Sequence, residues 1–157
     1  MNIREIAANM AEKYNVDGLE SKDGKIEMQI DGAAVMVEET DSDAFIFNGI
    51  IGDAPSDGAE AFAKILLESN LVMMHSRAVA LARNADTQAY VLIERVKVAD
   101  ASDFESFCQC LAKFVDTLET WRKTLTDFSP AAAAAAAISA RKEADTLDAL
   151  RFGALRC

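Results

Sequence analysis

Histidine is nearly absent from this chain. His75 is the only one in 157 residues, and neither a cysteine nor a paired carboxylate stands near it at ligand spacing. Zinc chemistry needs three or four such ligands, so no metal site is expected and His75 reads as a surface or strand-edge residue. Cysteine is scarce too. Cys108, Cys110 and Cys157 are an odd number, and the first two are spaced i, i+2 rather than as CxxC. That excludes a disulfide framework and points to reduced thiols in a cytosol. On a helix, Cys108 is expected to face the core and Cys110 the other side.

There is no GxSxG, no P-loop and no glycine-rich turn between a strand and a helix. Gly49-Ile50-Ile51-Gly52 is too short and too apolar to cradle a phosphate. His75 and Ser76 are adjacent, and neighbours on a strand point to opposite faces, so they are badly placed to act as base and nucleophile. The acidic run Glu38, Glu39, Asp41 and Asp43 lacks the ligand spacing, glycine and terminal glutamate of a calcium loop and reads as a solvated turn. No enzymatic constellation and no cofactor are expected. No run approaches the ~18 apolar residues needed to cross a bilayer, and Asn2 and Arg4 lead straight into an amphipathic pattern without the apolar core of a signal peptide. A chain that is not membrane-embedded follows.

Basic residues are few. The formal net charge is −10, and residues 1–129 hold 12 basic against 23 acidic side chains, a balance of −11, leaving +1 for the remainder. Such a surface repels phosphate backbones, so nucleic acid is not an expected partner.

What is present is a 51% hydrophobic composition, ordered in short periodic segments. Asn2 and Glu5 form a capping-box pair ahead of a helix over Ile3–Tyr14, whose apolar stripe is Ile3, Ile6, Ala7, Met10 and Tyr14. Period-two alternation marks a strand over Lys25–Ile30, and Asp31-Gly32 is a strong hairpin signal leading to a strand over Ala33–Glu39. A third strand covers Ala44–Ile51, with Phe45 and Phe47 on one face and Gly49 marking a bulge or a close backbone approach. Pro55 and Ser56 open a second helix with the stripe Ala59, Phe62, Ala63, Leu66 and Leu67, closed at Ser69-Asn70. Strands over Arg77–Ala82 and Ala89–Val98 follow. Ser102 with Glu105 then caps a long helix to Asp127, with Phe104, Phe107, Cys108, Leu111, Val115 and Leu118 inward and Phe114, Trp121 and Leu125 widening the stripe. The fold class is therefore α+β, in the order α-β-β-β-α-β-β-α, an antiparallel twisted sheet packed with helices.

That domain occupies residues 1–129. After Pro130 the composition changes to seven alanines, Ala131 to Ala137, and a weak stripe of Leu147, Leu150 and Phe152. Residues 130–157 read as a separate marginal helix or a flexible tail, since alanine favours helix but supplies little core. Met10, Met28, Met36, Met73 and Met74 lie in or beside the elements. Methionine adapts to varied apolar ligands, so the set suggests a peptide-binding surface, and each Met taken singly suits an ordinary core.

The element order, the size, the acidity and the lack of catalytic motifs resemble the class I type III secretion chaperones, the CesT-like (Tir chaperone) family. The local matches are Ile3-x-x-Ile6-x-x-x-Met10, Phe45-Ile46-Phe47 followed by Gly49, and Phe62, Leu66 and Leu67 ahead of Met73-Met74. They cover about residues 1–128; the tail departs from the pattern. The resemblance implies a non-enzymatic homodimer in the bacterial cytoplasm, which binds the N-terminal region of a secreted effector in extended form and keeps it secretion-competent. It implies effector contacts from Ile6, Met10, Met28, Met36, Phe45 and Phe47, and a dimer interface from Phe62, Leu66, Met73 and Met74. An effector segment is expected to add as a strand to the sheet edge. The other reading of the same residues is an α+β protein-interaction or regulatory domain with no secretion role.

Overall fold

The computed structural model describes residues 1–16, 18–41, 43–73 and 78–133. The elements run α1 (Ile3–Tyr14), β1 (Lys25–Ile30), β2 (Ala33–Thr40), β3 (Ala44–Asp53), α2 (Ala59–Met73), β4 (Val79–Arg83), β5 (Ala89–Lys97) and α3 (Phe104–Thr126), with a 3-10 turn over Val98–Ala101 before the last helix. The order expected from the sequence holds. Met74, His75, Ser76, Arg77 and residues 134–157 lie outside the described residues, and with them the expected start of the fourth strand and most of the tail.

The five strands form one antiparallel sheet in the order β1-β2-β3-β5-β4. Asp31 and Gly32 both adopt positive φ, 50° and 73°, which gives the two-residue turn the twist that the β1–β2 hairpin requires. One sheet face carries Ile26, Val35, Val37, Phe45, Phe47, Ile51, Leu81, Tyr90, Leu92 and Val96, and the helices bury it. Phe107 and Phe114 on α3 meet Phe47 edge-on, at ring-centroid distances of 5.6 Å each, and Phe107 also meets Phe45 at 5.7 Å. Edge-to-face contact brings the positive rim of one ring to the negative face of the next.

Gly49 lies where α3 presses hardest. A Cβ there would come within 2.5 Å of Leu118 Cδ2 and 3.2 Å of Phe114 Cε1. Close approach is thus its role; the register shift in β3 falls farther along, between Ile50 and Gly52.

Helix ends follow local chemistry. The Asn2 side chain accepts from the backbone N–H groups of Arg4 and Glu5, and Glu5 accepts from Asn2 N–H, which completes the capping box. At α3 the cap is Asp103, not Ser102. Ser102 has helical dihedrals, φ −67° and ψ −29°, because it ends the 3-10 turn, whereas Asp103 is extended and accepts from Ser106 N–H at 2.8 Å. That bond, then the Ser106 hydroxyl, holds the Asp103 carboxyl below the usual carboxylate range.

The second helix does not close at Ser69-Asn70. It continues to Met73, and Asn70 turns its amide onto the strand beside it. Leu67, expected on the inward stripe, is 70% exposed. Beyond α3, Phe128 meets Phe62 edge-on at a ring-centroid distance of 5.0 Å, and Pro130 lies so close to Gly58 that a Cβ there would meet its Cγ at 2.8 Å. The chain after α3 is therefore pinned to the start of α2.

Candidate polypeptide-binding groove

The two edges of the sheet are treated differently. On β4, alternate residues turn their backbone groups toward β5, because Ala78 O accepts from Arg95 N–H and Asn84 N–H donates to Ala89 O. The backbone N–H and C=O groups of Val79, Leu81 and Arg83 consequently face the outer edge. Leu81 N–H donates to Asn70 Oδ1 at 2.7 Å, and Asn70 Nδ2 donates to Leu81 O at 2.9 Å. One primary amide thus reproduces the paired bonds of a neighbouring strand at the middle of β4.

On β1, Gly24 O accepts from Glu39 N–H, and Lys25 exchanges both of its backbone bonds with Lys22 on the other side. Alternation along β1 then turns Ile26, Met28 and Ile30 toward β2 and sets the N–H and C=O of Glu27 and Gln29 on the outer edge. Beside that edge runs a groove of about 690 Å³, walled by the end of α1, by β1 and by the first half of α3. Met10, Met28, Ile30, Leu111 and Val115 give it an apolar lining. Val16, Gly18 and Leu19 contribute from the loop after α1, where Asn15 and Gly18 take positive φ to turn the chain. Among the described residues its charged lining is Glu27, Asp31 and Asp116, with no lysine or arginine.

The six side chains expected to hold a client separate into three groups. Ile6, Phe45 and Phe47 are 0% exposed and belong to the core of the chain, so they present no surface in this conformation. Met10, at 7%, and Met28 line the groove. Met28 is also part of a shallower depression with Met36, Asn48, Ile50 and Val91, most of it on the opposite face of the sheet. Periodicity marks a stripe as apolar but not as covered, and here α3 covers it.

The residues expected at a dimer interface divide likewise. Phe62 and Leu66 are buried inside the single chain at 0% and 4%, Met73 is half-buried, and Met74 lies outside the described residues. The uncovered apolar face of α2 is instead Leu67, Leu71 and Val72, at 70%, 68% and 71% exposure. The sequence held a sign of this: Leu66-Leu67 and Leu71-Val72 place apolar side chains on two faces of one helix. Leu111 and Val115 were legible only as core; their ends reach the groove because β1 is an edge strand. Cys108 lines the same groove half-buried, and Cys110, expected on the far side, is half-buried as well, with its Sγ 3.8 Å from Asp100 O.

Among the described residues, no group of three or more His, Cys, Asp or Glu side chains is arranged to hold a metal ion. No helix among them is long and apolar enough to cross a membrane.

Three solved structures share this architecture. A chain of the ExsC–ExsE complex superposes with a TM-score of 0.68 at 16% identity, covering 80% of this chain and 97% of that one. A chain of the HopA1–SchA chaperone–effector complex gives 0.62 at 13% identity, covering 76% and 91%. The Yersinia pestis type III secretion chaperone SycH, in complex with a stable fragment of YscM2, gives 0.56 at 16% identity, covering 75% and 98%. At these identities the likeness is one of fold. Comparison with curated protein sequences gives no match. The profile of one family matches residues 5–122, which takes in every element from α1 through most of α3. The chain belongs to the Tir chaperone protein (CesT) family.

Proposed function

We propose that this protein is a type III secretion chaperone that holds the N-terminal region of a secreted effector in extended form, without catalysis and without a cofactor. The observation that carries this reading is the apolar groove beside β1, the edge whose outward backbone groups remain open while α2 and Asn70 cover the middle of the other edge. An added strand gains main-chain hydrogen bonds from Glu27 and Gln29 and places alternate side chains in the groove, which is how sheet edges bind extended peptides. Family membership and the similar chaperone–effector complex support the same reading.

The exposed Leu67, Leu71 and Val72 fit a second copy of the chain, since three large apolar side chains on one helix face are costly to leave in water. The protein then works as a homodimer, in the cytoplasm of a bacterium. Light scattering is expected to give about twice the 17.0 kDa chain mass, and Leu71→Asp to give a folded monomer. A wild-type monomer at micromolar concentration argues against the dimer.

The strand-addition step is tested by Gln29→Pro after co-expression with the products of neighbouring reading frames. Proline is tolerated on an edge strand where its missing N–H faced solvent. The variant should therefore melt like wild type and lose the co-purifying effector and the protease protection of its N-terminal segment. Undiminished capture by a folded Gln29→Pro protein rules out strand addition at β1.

A further inference from the structure

Resting on the reading that β1 accepts a client strand, we infer that the accepted segment alternates apolar with basic residues. The groove supplies both halves of that pattern. Its lining is apolar at Met28, Ile30, Leu111 and Val115, and among the described residues its charged lining is acidic throughout: Glu27, Asp31 and Asp116. None of the three enters the ion pairs Lys25–Glu38, Lys64–Glu68 or Lys123–Asp127 among the described residues. Their charge is available to a ligand.

Strand geometry converts this inventory into a sequence rule. Side chains on β1 alternate with period two, so Met28 and Ile30 point to the groove, while Glu27 and Gln29 point to the opposite sheet face, both exposed. A residue directly opposite Glu27 on an added strand shares its face, at cross-strand distance. Client side chains opposite Met28 and Ile30 descend into the apolar groove, and those alternating with them rise beside Glu27 and Gln29. Asp116, on the α3 wall, offers a second carboxylate to a long basic side chain that passes over the groove. An acidic residue at either place meets like charge instead. One oppositely charged cross-strand pair changes affinity by up to about fivefold. With more than one such contact at low salt, lysine is expected to be preferred over glutamate at the outward positions by about tenfold.

The net charge of the chain attracts any basic peptide, so the test must separate local from general attraction. Three fluorescent nonapeptides are titrated by anisotropy into the full chain at low and high salt. One alternates leucine with lysine, one leucine with glutamate, and one serine with lysine. The leucine–lysine peptide is expected to bind about tenfold more tightly than the leucine–glutamate peptide at low salt, with the difference shrinking at high salt, and the serine–lysine peptide is expected not to bind measurably. Glu27→Lys and Asp116→Lys should each shift the preference toward the glutamate peptide. Glu60→Lys, at the exposed first turn of α2, should leave it unchanged. If the leucine–glutamate peptide binds as well as the leucine–lysine one, the groove reading stands and the basic pattern is overturned. If the serine–lysine peptide binds equally, or Glu60→Lys acts like Glu27→Lys, the attraction is not local and the inference fails. If neither leucine peptide binds, the groove reading falls and takes the inference with it.

Discussion

Replacing Gly49 by alanine should destabilise this protein by about 1–2 kcal/mol, although the same change in an open strand would help. Glycine in a strand interior is worse than alanine by about 0.5–1 kcal/mol, because it loses more freedom on folding. Gly49 has no positive φ to justify it, so backbone conformation leaves alanine permitted. The obstacle is steric. The new methyl would stand 2.5 Å and 3.0 Å from the two methyls of Leu118 and 3.2 Å from the Phe114 ring. Both side chains are 0% exposed, so either can retreat only against its core neighbours. Overpacking of this kind costs about 1–3 kcal/mol, which outweighs the entropic gain. Urea melts should show a lower midpoint with an unchanged slope. The cause is isolated by a cycle with Leu118→Ala, which alone should cost about 2–5 kcal/mol. In the double variant the added methyl occupies vacated space, so the two changes should be less than additive by about 1 kcal/mol or more. A Gly49→Ala protein as stable as wild type, or strictly additive changes, would refute the account of why glycine stands there.

Three further outcomes follow from the same structure. Phe47→Ala should cost about 3–5 kcal/mol, with client affinity per folded molecule unchanged, because Phe47 is enclosed by Phe107 and Phe114; a stable variant with weakened client binding would return Phe47 to the binding surface. Asp103 has its folded pKa depressed by the cap, so its contribution is present above the unfolded value near 3.9 and is lost as pH falls through the lower folded value. The melting temperature of Asp103→Ala should therefore lie below wild type at neutral pH, with the gap closing below about pH 4, and a gap independent of pH would contradict the cap assignment. A chain ended after Ala133 should keep a single cooperative melt near that of the full chain, whereas one ended after Thr126 should melt lower, since it lacks Phe128 against Phe62; equal melts for the two would show that this contact is inert.

Features set by local chemistry were legible in the sequence. The capping box at Asn2 and Glu5 and the turn at Asp31-Gly32 each depend on two or three adjacent residues, and both formed as expected. Features set by distant neighbours were not. Nothing near Asn70 reveals that β4 will need its amide, so a residue common at helix ends was read as an end. Ser102 and Asp103 are both capping residues, and the 3-10 turn before them decided which one is extended. The candidate site suffered most. The helical stripe of Met10 and the strand alternation of Phe45 and Phe47 each mark an apolar face, but only the placement of α3 against the sheet decides that Met10 reaches a groove and the phenylalanines do not.

The Asn70 amide has a consequence for how this molecule tolerates crowding. A sheet with two open edges is a bifunctional monomer: each strand it accepts leaves another edge to extend, and the product is a fibre. With the centre of β4 already occupied by Asn70, the second edge is blocked at its middle. Head-to-tail stacking of β1 on β4 is obstructed at its centre, because the Leu81 receiving groups are spent within the same chain. On the proposed reading, β1 can stay open to a client while the opposite edge does not pass the pairing on.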